Sequence, residues 1–351
     1  MLTIHRKYSG VAKEPVLYVA DNGTHQELKG AKARAWLDKI CATGKQSRIL
    51  STSACSIDDM LLALAERGVQ IFTAHWHSVG VDKKLEPGEI AEAFSKVADS
   101  ALRPYIARTD LAALRGRVVT RNAVIEYRKS VANSLRNVGL RTGVSADRYP
   151  KWLKEEIEAL RTNGKPVEYD LDKQVKAEAE KIPECVTFRR IFGMKDVSIV
   201  EAQFVSCVGD TSRFPTVGSL WHYCGQHVTD DGKAPHRKRG AANDWNPEAR
   251  TVLWNTIDTG LKANNPVIRP LYEYYKAKEL ETHDAGNAET GKKPCKCETK
   301  QGHCGARARR RVTKELLKQY YVATGGTGQQ RTVLQSTIYR LESMRRVSKA
   351  A

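Results

Sequence analysis

The 351-residue sequence has no uninterrupted apolar run approaching the ~18 residues of a membrane-spanning helix. Nor does an apolar run follow the charges of its first seven residues, so no signal peptide is visible and a cytoplasmic protein without membrane partners is expected. Cysteine is sparse: there are eight, of which Cys41, Cys55, Cys185, Cys207 and Cys224 are scattered. They read as reduced core thiols rather than a disulfide framework. Above all the chain is short of acid, with 40 Asp and Glu against 58 Lys and Arg and a net charge of +18. The shortage is uneven. Residues 1–100 hold 13 basic and 12 acidic side chains, whereas residues 101–351 hold 45 and 28. Such an excess on one segment points to a polyanion, nucleic acid first, with a mere solubility charge as the bland alternative. At 41% hydrophobic the chain can build a core, and its length suits two or three domains.

The hydropathy pattern divides the chain at 1–100, 101–182 and 183–351. In the first part, strands are expected at Val16–Ala20, Arg48–Ser51 and Val69–Ala74, and helices at Ala31–Cys41, after a Ser56 cap, and from Pro87 to Ala98. Strands alternating with helices imply a small α/β layer with parallel pairing. From Arg103 to about Leu140 the pattern changes: between Ala107 and Val138 the only Gly or Pro is Gly116, and apolar residues recur at helical spacing. One long helix, or two nearly continuous ones, is expected. Its Arg115, Arg121, Arg128, Lys129 and Arg136 make it a basic spine for a phosphate backbone or a dimer coiled coil, against the alternative of a solvated face. Two further helices are expected at 150–162 and 167–181, giving a fold that is α+β but mostly α.

Between Cys185 and Asp210 two helices flank the turn Phe192-Gly193-Met194-Lys195-Asp196, the pattern of a helix-hairpin-helix that grips backbone without reading bases. Arg189, Arg190 and Lys195 lie beside that turn. Further on, His236-Arg237-Lys238-Arg239-Gly240 concentrates cations in a flexible loop after the aromatic run Leu220-Trp221-His222-Tyr223-Cys224-Gly225. Such a loop suits bidentate phosphate contacts, which Asn243 and Arg250 would complete.

The run FRRIFGMKDVSIVEAQFVSCVGDTSRFPTVGSLWHYCG, followed by HRKRGAANDWNPEARTVLWNTID, resembles the C-terminal domain of bridge-RNA-guided transposases related to the Piv/MooV invertases. It is also similar to the Nop domain of box C/D RNA–protein complexes. Both likenesses together resemble the Tas proteins of TIGR-Tas systems, clearly over residues 185–260 and in architecture only over residues 16–141. The resemblance implies a RuvC-like N-terminal domain, a coiled-coil spine with homodimer formation, and a Nop-like domain holding a small guide RNA directed to target DNA.

In the transposases, four acids bind two metal ions, and a C-terminal serine is the nucleophile. This chain departs at each position. Val16–Ala20 leads into Asp21-Asn22-Gly23, which resembles the family's second strand and turn. Ser51-Thr52-Ser53 stands where the Glu is expected, Glu86 and Glu89 replace the last Asp pair, and Asp231-Gly232 lies near the serine position. An added methylene moves a carboxylate by about 1.5 Å, enough to spoil a two-metal site. Glu86 and Glu89 then read as helix N-terminal acids. Loss of nuclease chemistry, with no catalytic metal, is therefore expected; a transposase or invertase retaining Mg²⁺-dependent cleavage and a non-guided structural RNA-binding protein are the alternatives.

Within a Cys-rich insertion at 285–305, Cys295, Cys297, His303 and Cys304 could hold a structural zinc ion; His283 is a substitute ligand, and a reduced loop is the alternative. Beyond it, Arg307, Arg309, Arg310, Arg311, Lys314 and Lys318 share a helix with Leu316, Leu317, Tyr320 and Tyr321, a combination suited to an RNA backbone. A hinge at Gly325–Gly328 and a last amphipathic helix through Val333 and Met344 complete the reading.

Overall fold

The computed structural model describes residues 2–7, 16–21, 24–43, 48–51, 58–74, 86–141, 151–229, 234–236, 243–285 and 300–325. It divides into two compact units, residues 1–112 and 113–351. No described helix is long and apolar enough to cross a membrane.

The first unit is a mixed six-stranded sheet in the order β3-β2-β1-β4-β5-β6. Strands β1 (Leu2–Lys7), β2 (Val16–Asp21) and β3 (Thr24–Lys29) form an antiparallel meander. Strand β1 then pairs in parallel with β4 (Arg48–Ser51), and β4 with β5 (Gln70–Thr73). The two-residue β6 (Arg103–Pro104) closes the far edge antiparallel to β5. Successive strand residues point to opposite faces, so Ile49 and Leu50 serve different cores. Ile4, Leu17, Val19, Ile49 and Ile71 pack with Ala33 and Ile40 of α1 (Gly30–Thr43) and Leu61 and Leu64 of α2 (Asp59–Glu66). Leu50 and Ala74 pack with Ile90 and Phe94 of α3 (Pro87–Ser95). Burial of both faces explains the unbroken apolar pairs Ile49-Leu50 and Ile71-Phe72.

Three strands escape the hydropathy pattern: β1, β3 and the short β6. β1 carries only Leu2 and Ile4 as apolar residues yet occupies the middle of the sheet, with Ile4 opposite Val19 on one side and Ser51 on the other. β3 is exposed except at Leu28. The α2 cap is Asp58, whose Oδ1 accepts from the N–H groups of Met60 and Leu61 at 3.1 and 3.2 Å; Ser56 lies outside the described residues. The helix from Pro87 ends at Ser95, and Asp99–Ala101 is a separate 3₁₀ turn.

The second unit is helical. The expected basic helix is continuous, as α4 (Thr109–Arg141), which starts within the first unit. The two helices expected next are one, α5 (Lys151–Lys181), which runs through Gly164 and Pro166. Local breakers are a weak prior against tertiary packing: Val175 and Ala179 are fully buried, and α5 lies antiparallel to α4 through pairs of Arg121 with Asp172 and Arg128 with Glu168. Helices α6 (Pro183–Ile191) and α7 (Ile199–Val208) follow, then α8 (Val217–Tyr223), α9 (Pro247–Lys262), α10 (Ile268–Ala285) and α11 (Lys300–Ala323). Their shared core is aromatic. Phe188 stacks on Phe192 at 4.0 Å, and Tyr320 of α11 meets Phe204 edge-on at 5.4 Å. The helix expected through Val333 and Met344 lies outside the described residues.

Candidate nucleic-acid interface

Helix α11 buries Cys304, Ala308, Val312, Leu316 and Tyr320 along one stripe, a spacing of four that leaves its cations on the remaining faces. Those cations differ sharply in their partners. Arg309 pairs with Asp258 at 3.0 Å and covers the ring of Trp254 at 5.1 Å. Arg307 and Arg311 flank the buried Glu279 carboxylate at 3.6 and 2.5 Å. Arg310 and Lys314, one turn apart, make no ion pair with any described carboxylate. Burial first, then the charges of Arg250 and Arg307, pushes the Arg310 guanidinium below its ordinary value. Burial, Arg310 and Arg311 do the same to the Lys314 ammonium.

Two concavities share the Arg307 and Arg310 walls. One, of about 430 Å³, is lined also by Gln226, His236, Arg250, Trp254 and His303. The other, of about 580 Å³, adds Trp221, Val228, Tyr275, Arg311, Lys314 and Lys318. Trp221 is anchored from behind, its Nε1 donating to the Lys314 carbonyl at 3.1 Å while the Lys314 ammonium lies 5.1 Å over its ring. Cations, flat rings and half-buried walls are the materials for holding phosphates and stacking bases.

The first concavity rests on a tight scaffold. Asn246 caps α9, accepting from Glu248 and Ala249 N–H groups, and its Nδ2 donates to the Tyr223 hydroxyl at 2.8 Å. Tyr223 donates in turn to the Cys207 carbonyl at 2.7 Å. Gly225 has φ +62°, and a Cβ there would lie 2.9 Å from Trp245 and 3.0 Å from Arg250. Glycine therefore lets Arg250 settle over Trp245, 4.8 Å away, and donate to the Pro235 carbonyl at 2.5 Å. Burial lowers the Arg250 pKa as well.

The structure thus brings Arg250, His236, Arg307 and Arg310 together, with Arg311 adjoining. Asn243 is described and half-buried, while Arg237, Lys238 and Arg239 lie outside the described residues. The hairpin turn expected to grip a backbone through Arg189, Arg190 and Lys195 has an anion of its own. Glu201 in the first turn of α7 is itself the anion there, wholly buried and 3.3 Å from Arg189. Arg189 is an internal ion-pair partner, because a desolvated carboxylate beside it competes with any external phosphate. Desolvation pushes the Glu201 carboxyl up to about 7 despite that arginine. The Gly193 turn (φ +64°) is occupied too: Asn265 Nδ2 donates to the carbonyls of Phe192 and Gly193 at 3.0 and 2.8 Å. Arg190 and Lys195 are exposed.

Three of the spine cations have partners likewise. Arg121 and Arg128 face Asp172 and Glu168 of α5, and Lys129 pairs with Glu126 at 2.8 Å. The acids of α5 pair with the two arginines, and an acid of α4 itself pairs with the lysine. Arg115 remains exposed, and the side chain of Arg136 lies outside the described set. Of the proposed zinc ligands, Cys295 and Cys297 lie outside the described residues. Cys304 is buried and donates to the Glu279 carbonyl at 3.5 Å. His303 lines the first concavity, its ring 6.0 Å from His283.

Among the acids of the first unit, Asp21 closes β2 opposite Thr24 of β3. Glu86 and Glu89 form a capping box on α3, the Glu89 carboxylate accepting the Glu86 N–H at 2.9 Å. Strand β1, Leu2-Thr3-Ile4-His5-Arg6-Lys7, contains no carboxylate, and β4 ends on the buried Ser51. Sequence reasoning left Trp221, Gln226 and Trp254 out of the site; nothing in their spacing marks them, since three different elements bring them together. No family model matches this sequence, and no curated protein matches it.

Proposed function

We propose that the protein is a guide-RNA holder, which binds a small RNA through the helical unit and leaves recognition of target DNA to base pairing, without cutting it. The observation that carries this reading is the pair of concavities on α11, where Arg310 and Lys314 lie desolvated and without a described carboxylate partner beside Trp221 and Arg250. Folding against such crowding is unfavourable unless a polyanion relieves it. The sheet supports the non-cutting part. Its order β3-β2-β1-β4-β5 resembles that of RuvC-like domains, whose central strand supplies the first metal-binding acid, and here that strand has none. A second copy of the chain would cover Val119, Tyr127, Val167 and Tyr169, which are 52–73% exposed on α4 and α5.

The test is to sequence RNA co-purifying with the protein, then to challenge matching DNA for binding and for Mg²⁺-dependent cleavage. A discrete small RNA and bound, intact DNA are expected. Absence of a discrete RNA refutes the guide reading, and cleavage abolished by Asp21→Asn or Glu86→Gln restores an enzyme.

A further inference from the structure

We propose that His222, His227 and Asp244 together bind one divalent transition-metal ion, zinc by preference, which staples the base of the basic loop. The residues come from two positions that the fold fixes independently. His222 is in the last turn of α8, and the chain reverses at Gly225, whose N–H donates to the His222 carbonyl at 2.9 Å while Gln226 N–H donates to the Trp221 carbonyl at 2.8 Å. That reversal lays the His227 ring on the His222 ring, centroids 4.0 Å apart and nearly parallel at 16°. Asp244 arrives from the other end of the loop, two residues before the α9 cap. It is held there because Asn246 N–H donates to the Tyr223 carbonyl at 2.7 Å.

One donor atom of each of the three side chains lies within 4.8 Å of the others, and His222 Nε2 is 3.1 Å from an Asp244 oxygen. Ligands at the ~2.0–2.2 Å of zinc bonds sit roughly 3.3 Å from each other, and an imidazole binds along its ring plane, so closing the set takes a turn of one imidazole out of the stack together with a rotation of the exposed Asp244. A simple His222–Asp244 ion pair accounts for two of these groups but leaves out the third. His227 Nδ1 is buried and meets no hydrogen-bonding partner, an arrangement that is costly for an imidazole nitrogen unless its lone pair is used.

The donor set selects the ion. Two imidazoles and one carboxylate are borderline ligands that suit Zn²⁺ and its neighbours, whereas Ca²⁺ and Mg²⁺ want oxygen alone. Three protein ligands leave the remaining coordination to water. Position sets the consequence, because His227 and Asp244 bracket residues 228–243, which carry His236 and Arg237–Arg239. A bound ion would join the described ends of that segment, and a change in RNA affinity is the consequence expected. The metal site itself does not depend on the nucleic-acid reading; only this consequence does.

The test uses the full chain stripped with a chelator and titrated with Zn²⁺ by calorimetry and with Co²⁺ by visible absorption. The double variant Cys295→Ser/Cys297→Ser removes two of the three competing thiolate candidates, the third, Cys304, being buried. It is expected to keep one equivalent of metal, with cobalt d–d bands and no thiolate charge-transfer band. In that background His227→Gln and Asp244→Asn should each weaken binding by at least about 100-fold. Asp244 is exposed, so its variant retains the metal-free melting temperature and separates lost ligation from lost fold. Loss of stoichiometric binding in the double Cys variant overturns the site, as does undiminished affinity in Asp244→Asn or in a folded His227→Gln. RNA affinity, measured separately, reports only on the consequence.

Discussion

The double substitution Arg310→Gln/Lys314→Gln tests the interface most directly, because the structure predicts opposite effects on binding and on stability. Neither cation pairs with a described carboxylate, and each is pushed down by burial and neighbouring positive charge. Each phosphate contact on a single strand contributes about 0.7 to the slope of log affinity against log salt. Losing two lowers that slope by about 1.4, which at physiological salt is a loss of roughly tenfold. The free protein should gain instead. Relieving like-charge crowding among half-exposed groups contributes on the order of 0.5–1 kcal/mol, or about 1–3 °C in melting temperature for a unit of this size. The assay is fluorescence anisotropy with the co-purifying RNA over a salt series, alongside thermal melts without RNA. The control is Arg121→Gln/Arg128→Gln, whose guanidiniums already face Asp172 and Glu168. If the control lowers the salt slope as much as the α11 variant does, or the α11 variant leaves it unchanged, the interface is misplaced.

Three further outcomes follow from the same geometry. Glu279→Gln removes the buried carboxylate between Arg307 and Arg311; it should cost about 1–2 kcal/mol in urea unfolding while raising RNA affinity several-fold, as two guanidiniums are released to the concavities. Asn265→Ala removes two donated bonds to the Phe192 and Gly193 carbonyls and two accepted from Val267 and Ile268. It should cost about 2–4 kcal/mol by the same measurement, and a loss under 1 kcal/mol would mean the turn stands without it. Glu201 gives a pH signature, since its carboxyl rises from an ordinary 4.5 to about 7 on folding. The folded state then holds the proton that the unfolded chain releases. This stabilising term is complete below pH 4.5 and disappears as pH climbs through about 7, a span of roughly 3 kcal/mol at most. Glu201→Gln should flatten unfolding free energy between pH 5 and 8; an unchanged slope would place the titration elsewhere.

What was legible in the sequence follows the physics of each signal. β4 and α1 stand where hydropathy puts them because their apolar residues face a core nearby in sequence. β1 was invisible because its neighbours, not its composition, make it central: three of its six residues are His5, Arg6 and Lys7, yet β2 and β4 enclose it. The break expected at Gly164 and Pro166 is absent, since the buried Val175 and Ala179 and the pairing with α4 hold the helix beyond it. At the site, the arginine density of α11 and the association of Arg250 with the segment around His236 were readable. The cations on α4 were readable too, but not their neutralisation, because Asp172 and Glu168 are about 40–50 residues away in sequence.

Net charge is consequently a poor guide to where a polyanion binds, and the pairing of each cation is a better one. Arg121, Arg128, Arg189 and Arg309 all contribute to the +18, yet each meets a carboxylate within its own unit. An ion pair already formed must be broken, at a cost of desolvation and lost contact, before its guanidinium can take a phosphate. Arg310 and Lys314 face no such competitor, and their raised electrostatic energy in the free protein is returned when a phosphate arrives. Arg307 and Arg311 fall between the two groups: they share one carboxylate, Glu279, so their joint charge exceeds it by one unit. The five cations of α11 that line the concavities, Arg307, Arg310, Arg311, Lys314 and Lys318, thus exceed the lining acids Glu279 and Glu315 by three charges. That excess, concentrated beside Trp221 and Arg250, is why the proposed phosphate site falls on this face of α11 rather than on the longer and more basic-looking α4.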